Sequence, residues 1–144
     1  MIEISHLTKK FDSFTAVDDL SFKVEEGEVL GFLGPNGAGK STTMKIITGF
    51  LGATSGSVTV HGHDISTDPL AVKSLIGYLP EGAPSYPDMT VLEFLDFIAE
   101  VRGFSGEQKK QRIAKVIREV ELAEVCHKTI DTLSKGFKRR VGLA

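Results

Sequence analysis

The chain has 144 residues, 41% hydrophobic and 25% charged, a balance that suits one soluble globular domain with a modest core. Its formal net charge of −2 argues against a general nucleic-acid binder, whose electrostatic footprint is basic. A single cysteine, Cys126, excludes a disulfide framework and fits a reducing compartment, and the sequence shows neither a long apolar run nor a signal-like start at Met1-Ile2-Glu3-Ile4.

In chain order, two strands open the sequence. Ile2 to Phe11 carries Ile2, Ile4 and Leu7; after the turn residues Asp12-Ser13 a second strand runs to Val24, with Leu20, Phe22 and Val24 alternating. The turn Glu25-Glu26-Gly27-Glu28 leads into an apolar run, Val29-Leu30-Gly31-Phe32-Leu33, which reads as a buried strand. Gly34-Pro35-Asn36-Gly37-Ala38-Gly39-Lys40-Ser41-Thr42 follows directly and opens into a helical segment ending near Phe50. That is the strand, glycine-rich loop, helix context in which G-x-x-x-x-G-K-[ST] denotes a phosphate-binding loop. Glycines let the backbone wrap a triphosphate with its N–H groups pointing inward, and the helix N-terminus adds favourable partial charge. Lys40 then reaches the β- and γ-phosphates, and the Ser41 hydroxyl is placed to ligate Mg²⁺.

After the break at 52–56, Ser57-Val58-Thr59-Val60 reads as a short strand, Pro69 to Lys73 as a short helix, and Leu75 to Leu79 as a further strand. From Thr90 the character is helical. Thr90-x-x-Glu93 is a capping box before the apolar face Val91, Leu92, Phe94, Leu95, Ile98 and Val101; Ser105-x-x-Gln108 is a second, before Ile113, Val116, Ile117 and Val120. Ser134 is a natural N-cap for a basic helix running through Lys138, Arg139 and Arg140. The basic groups there, and at Lys109, Lys110, Arg112, Lys115 and Arg118, read as solvated faces or contact with an acidic partner before nucleic acid. His61-Gly62-His63-Asp64 reads as a tight turn rather than a metal site.

Leu133-Ser134-Lys135-Gly136-Phe137 resembles the signature motif of ABC-type ATPases, in the L-S-K-G-[YF] form common among bacterial exporter subunits. Phe11 matches the aromatic residue that stacks on adenine in this family, although in isolation it also reads as a core strand residue, and Val17 matches the small apolar residue beside the base. Ile76-Gly77-Tyr78-Leu79-Pro80-Glu81 is similar to the strand entering the family's Q-loop, with Glu81 where a glutamine usually senses the γ-phosphate through Mg²⁺. A carboxylate still ligates the metal but donates no hydrogen bond when ionised, and a plain surface-loop glutamate remains the other reading. The guanine-specificity motif N/T-K-x-D is absent, which favours adenine.

The resemblance implies an α/β fold: a P-loop NTPase of ABC type, with residues 1–89 as nucleotide-binding core and antiparallel sheet and 90–144 as helical subdomain and signature motif. It implies ATP and Mg²⁺ as ligands, with Phe11, Val17, Gly34 to Thr42, Ser134 and Gly136 at the nucleotide and Ser41 and Glu81 at the metal. Ser134 and Gly136 would serve the nucleotide of a second nucleotide-binding subunit. The stretch from Gly82 to Met89, with Pro84, Tyr86 and Pro87, lies where family members receive the coupling helix of a transmembrane permease, which would hold the cytoplasmic chain at the inner face of the membrane. The implied function is ATP binding and hydrolysis that powers transport, in the direction of export. A soluble ABC-type ATPase of translation or DNA repair and a non-catalytic nucleotide-binding module are the alternatives. The resemblance stops after the signature helix, so the core is expected to be incomplete: no Walker B strand follows, the chain alone should not turn ATP over usefully, and the phosphate-loop strand keeps an open apolar edge that predicts marginal stability or self-association.

Overall fold

A computed structural model describes residues 1–80 and 86–144, which form two compact units, Met1–Tyr78 and Leu79–Ala144. The Glu81 reading, and those on Gly82 and Pro84, fall outside the described residues.

The first unit is built on an antiparallel sheet in the order β2-β1-β3-β4, from β1 (Ile2–Phe11), β2 (Phe14–Val24), β3 (Ser55–Val60) and β4 (His63–Asp64). The hairpin between β1 and β2 turns through Asp12 and Ser13, Asp12 accepting a φ of 48°, and places Phe11 directly opposite Phe14. The pairing slips at three points, so β1 and β2 are irregular rather than strictly alternating. At one slip the Thr8 hydroxyl takes the Asp19 N–H and at another the Ser21 hydroxyl takes the His6 N–H, which keeps the displaced backbone groups bonded. Ile4, Leu7, Val17 and Val58 form one buried face. Helix α1 (Lys40–Ile47) covers it with Ile46 and Ile47 and ends in a Schellman arrangement, Phe50 N–H donating to Lys45 O and Gly49 N–H to Ile46 O. Helix α2 (Pro69–Leu75) buries Val72.

Two expected strands are absent from this sheet. Residues 29–33 lie outside any strand, and Val29 and Leu33 are 96% and 94% exposed. A strand is completed by ladder partners along its edges, and the sheet β2-β1-β3-β4 offers this segment none. Only Phe32 is held, its ring 5.6 Å from that of Phe22. Residues 75–79 also differ from expectation: α2 continues through Leu75, and 76–80 is irregular, with Ile76 packed on the core and the Tyr78 ring 5.6 Å from Phe50.

The second unit is helical: α3 (Val91–Val101), α4 (Gly106–Glu119), two 3₁₀ turns at Ala123–Val125 and Ile130–Thr132, and α5 (Lys135–Leu143). The Thr90 capping box forms in full, the Thr90 hydroxyl accepting from Glu93 N–H while the Glu93 carboxylate accepts from Thr90 N–H. The second box does not: Ser105 caps α4 by position, but its hydroxyl makes no bond, and Gly106 begins the helix at a φ of 56°. The start of α3 is tied to the later chain by Val91 N–H to Lys128 O and Leu92 N–H to Cys126 O, and Val91, Phe94, Leu95, Ile113, Leu122, Ile130 and Val141 share one core. Lys109 on α4 bridges to Asp96 (2.7 Å) and Glu100 (3.0 Å) on α3.

Candidate functional site

The phosphate loop turns between the exposed 29–33 segment and α1. Ala38 N–H donates to Pro35 O, Gly37 and Gly39 take φ values of 85° and 81°, and α1 starts at Lys40. The two glycines are required for different reasons. Around Gly37 the space is open, so only its left-handed backbone demands glycine; a Cβ on Gly39 would strike the Ala16 carbonyl and come within 3.2 Å of Val17 Cγ2. The loop is thus seated on β2 by backbone-to-backbone approach, with Val17 buried beneath it. Thr43, one turn into α1, fixes the same point by donating both its N–H and its hydroxyl to Gly39 O.

The N-terminus of α1 carries neither a side-chain cap nor an acidic residue in its first turn. Its leading N–H groups and the positive end of its dipole therefore meet neither a capping side chain nor a first-turn carboxylate. Lys40 Nζ donates to Gly34 O and Pro35 O, 2.6 Å each, holding its ammonium inside the loop's curl. The Ser41 side chain is exposed beside it and Thr42 is half-buried. The arrangement offers a positioned cation, an uncapped helix N-terminus and an exposed hydroxyl, the chemistry that suits a polyphosphate.

Phe11 lies at the tip of β1, 44% exposed, with Lys9 Nζ 5.0 Å from its ring centroid. The first unit thus brings Phe11, Val17 and residues 34–42 into one body. Ser134 and Gly136 belong to the second unit, where the Ser134 hydroxyl caps α5 by accepting from Phe137 N–H at 3.3 Å and Gly136 is exposed as the second residue of that helix. Reading the sequence singles out Phe11 but neither Lys9 nor Phe14, its neighbours in the fold. The signal for them was the two-residue turn at Asp12-Ser13, which fixes the register.

The remaining features are structural in their contacts. His63 Nδ1 lies 3.0 Å from Asp68 Oδ2, and the Ser66 hydroxyl, with its N–H, bonds Asp64 and holds that carboxyl below its ordinary range. Among the described residues no group of three metal-ligating side chains occurs. Several basic residues are engaged within the second unit: Lys109 on Asp96 and Glu100, Arg112 over the Phe104 ring at 4.2 Å, Arg140 on Glu121 at 2.9 Å. The hydrogen bonds that Lys109 donates to both carboxylates raise it above its ordinary value, Asp96 contributing most. Among the described residues no helix is long and apolar enough to cross a membrane.

A family description, ABC transporter, matches residues 17–144. The chain is 38% identical over 144 residues to the probable multidrug ABC transporter ATP-binding protein YbhF of Escherichia coli, covering 100% of this chain and 25% of that protein. It is 37% identical over 143 residues to the linearmycin resistance ATP-binding protein LnrL of Bacillus subtilis, covering 99% of this chain and 46% of that one. It spans a quarter of the first relative and just under half of the second. A solved ATP-binding subunit of an ABC transporter superposes with a TM-score of 0.85 at 29% identity, over 99% of this chain and 60% of that chain.

Proposed function

This chain belongs to the ABC transporter family, and from that premise we propose that it is the ATP-binding part of a nucleotide-binding subunit whose ATP hydrolysis drives export across a membrane. The observation that carries the reading is the loop at 34–42, seated by Gly39 on β2, with the Lys40 ammonium held in its curl at the open N-terminus of α1. On binding, Lys40 exchanges the Gly34 and Pro35 carbonyls for β- and γ-phosphate oxygens, while the N–H groups from Gly39 to Thr42 donate to the same phosphates. Phe11 stacks the adenine and Val17 packs beside it. Ser41, with Glu81, would hold Mg²⁺, which supplies positive charge against the triphosphate.

Ser134 and Gly136 complete the nucleotide site of a second such subunit, offering the N-terminus of α5, whose first turn holds no acidic residue. A transmembrane permease docks at the surface begun by Tyr86, 54% exposed and edge-on to Phe97 at 5.5 Å, and continued by the groove between α3 and α4 lined by Leu92, Phe97 and Ile117. Through that partner the chain sits at the inner face of the membrane. The names of the multidrug and linearmycin resistance relatives support export, and they favour transport over a soluble ATPase of translation or DNA repair.

Calorimetric titration with MgATP, beside Lys40→Ala, tests the assignment. Saturable binding that the variant loses supports it; no binding by the wild type, or equal binding by both, overturns it. The same preparation tests whether these residues bind without turnover: phosphate release abolished by Lys40→Ala would refute that part.

A further inference from the structure

We propose that Phe14 is a second base-contacting ring, which makes the tip of the β1–β2 hairpin a two-ring platform for the purine of the bound triphosphate. This rests on the ATP-binding reading of the loop at 34–42. Its own evidence is the register. Residues directly opposite in an antiparallel pair share a face, so Lys9 with Val17 and Phe11 with Phe14 all lie on one side of the hairpin. Leu7 precedes Lys9 by two and is fully buried, so this is the side that carries the core and α1. Outward from the core, that face runs Leu7, Lys9 opposite Val17, then Phe11 opposite Phe14.

Val17 ties the face to the phosphate loop, since Gly39 packs directly on it. Beyond Val17 the same surface is left to two phenyl rings, 44% and 60% exposed. The Lys9 ammonium stands over the Phe11 ring at 5.0 Å, so one π-face is taken by a cation and the ring has its other surface for a ligand. A flat, uncharged ring system at the end of a triphosphate fits: its phosphates lie at α1, and its base reaches past Val17 to the pair. Neither ring carries a hydrogen-bonding group, so the platform selects by stacking area, favouring purines over pyrimidines.

The test measures binding of MgATP, MgUTP and inorganic tripolyphosphate to the wild type, Phe14→Ala, Phe14→Trp and Phe11→Ala. The expected result is that Phe14→Ala weakens MgATP at least about fivefold, that Phe14→Trp restores it, and that tripolyphosphate, which has no base, binds all four proteins alike. MgUTP is weaker in the wild type and loses less in Phe14→Ala. MgATP affinity within twofold of wild type in Phe14→Ala, alongside a clear loss in Phe11→Ala, overturns the proposal and leaves the ATP reading standing. Equal loss of tripolyphosphate binding in Phe14→Ala also overturns it, because the residue would then act through the fold. If the wild type binds neither ATP nor tripolyphosphate, the loop reading itself has failed and the platform falls with it.

Discussion

Alanine at Gly39 and at Gly37 separates backbone strain from close approach, because the two positions share a φ and differ in surroundings. Both sit near 80–85°, where an L side chain costs about 1–2 kcal/mol. A Cβ at Gly37 meets nothing within 4 Å, so Gly37→Ala should lose only that amount. At Gly39 the Cβ overlaps the Ala16 carbonyl and presses on Val17, and because Ala16 O is backbone in β2, either the strand or the loop must move. Overpacking of this kind adds about 1–3 kcal/mol, giving about 2–5 kcal/mol for Gly39→Ala. Any stiffening of the unfolded chain by alanine is common to both variants and cancels in their difference. Urea unfolding followed by far-UV circular dichroism reads the result as two midpoints at a shared slope. Coincident midpoints would refute the argument, since they would mean that the loop is not seated on β2 by this contact. The displaced loop of Gly39→Ala should also bind MgATP more weakly than wild type wherever the variant remains folded.

Two further predictions concern the second unit. Thr90→Ala removes the acceptor for Glu93 N–H at the start of α3 and should cost about 1 kcal/mol, with Thr90→Ser close to wild type; an alanine variant that unfolds at the wild-type urea midpoint would show that the cap contributes nothing. The same cap has a pH signature. Glu93 is held below its ordinary value of 4.5 by the Thr90 N–H and then by the Thr90 hydroxyl. A carboxyl lowered in the folded state stabilises above its unfolded value and loses that contribution as the pH falls through the folded value. The stability difference between wild type and Thr90→Ala should therefore shrink on acidification from pH about 7 to about 3, and a difference that stays constant would exclude Glu93 as its source.

Local devices were legible because their partners lie within a few residues. The two-residue turn at Asp12-Ser13, the glycine-rich loop running into α1, the capping box at Thr90 and the Ser134 cap each depend on neighbours three or four positions away. The second capping box fails on an equally local ground: α4 begins at Gly106 with a positive φ, and the Ser105 hydroxyl goes unused. The family resemblance is carried by the same kind of short pattern, so the candidate residues at 34–42, Ser134 and Gly136 were nameable before any fold was known.

What the tertiary structure alone decided depends on distant partners. Val29 to Leu33 has the composition of a buried strand, yet composition supplies no ladder, and in the sheet β2-β1-β3-β4 this segment stays outside with Val29 and Leu33 in solvent. Gly39 reads from sequence as a residue for close phosphate approach; only the fold reveals that it also yields space to the Ala16 carbonyl, more than twenty positions earlier in the chain. Likewise the order Leu7, Lys9, Phe11 along one face was implicit in alternation, but the irregular pairing of β1 with β2 determined that Val17 and Phe14 join it. The sequence could specify these local conformations because dihedral preference and short-range hydrogen bonds act within a turn; which faces and edges end up covered is set by long-range pairing, and that is a property of the folded chain.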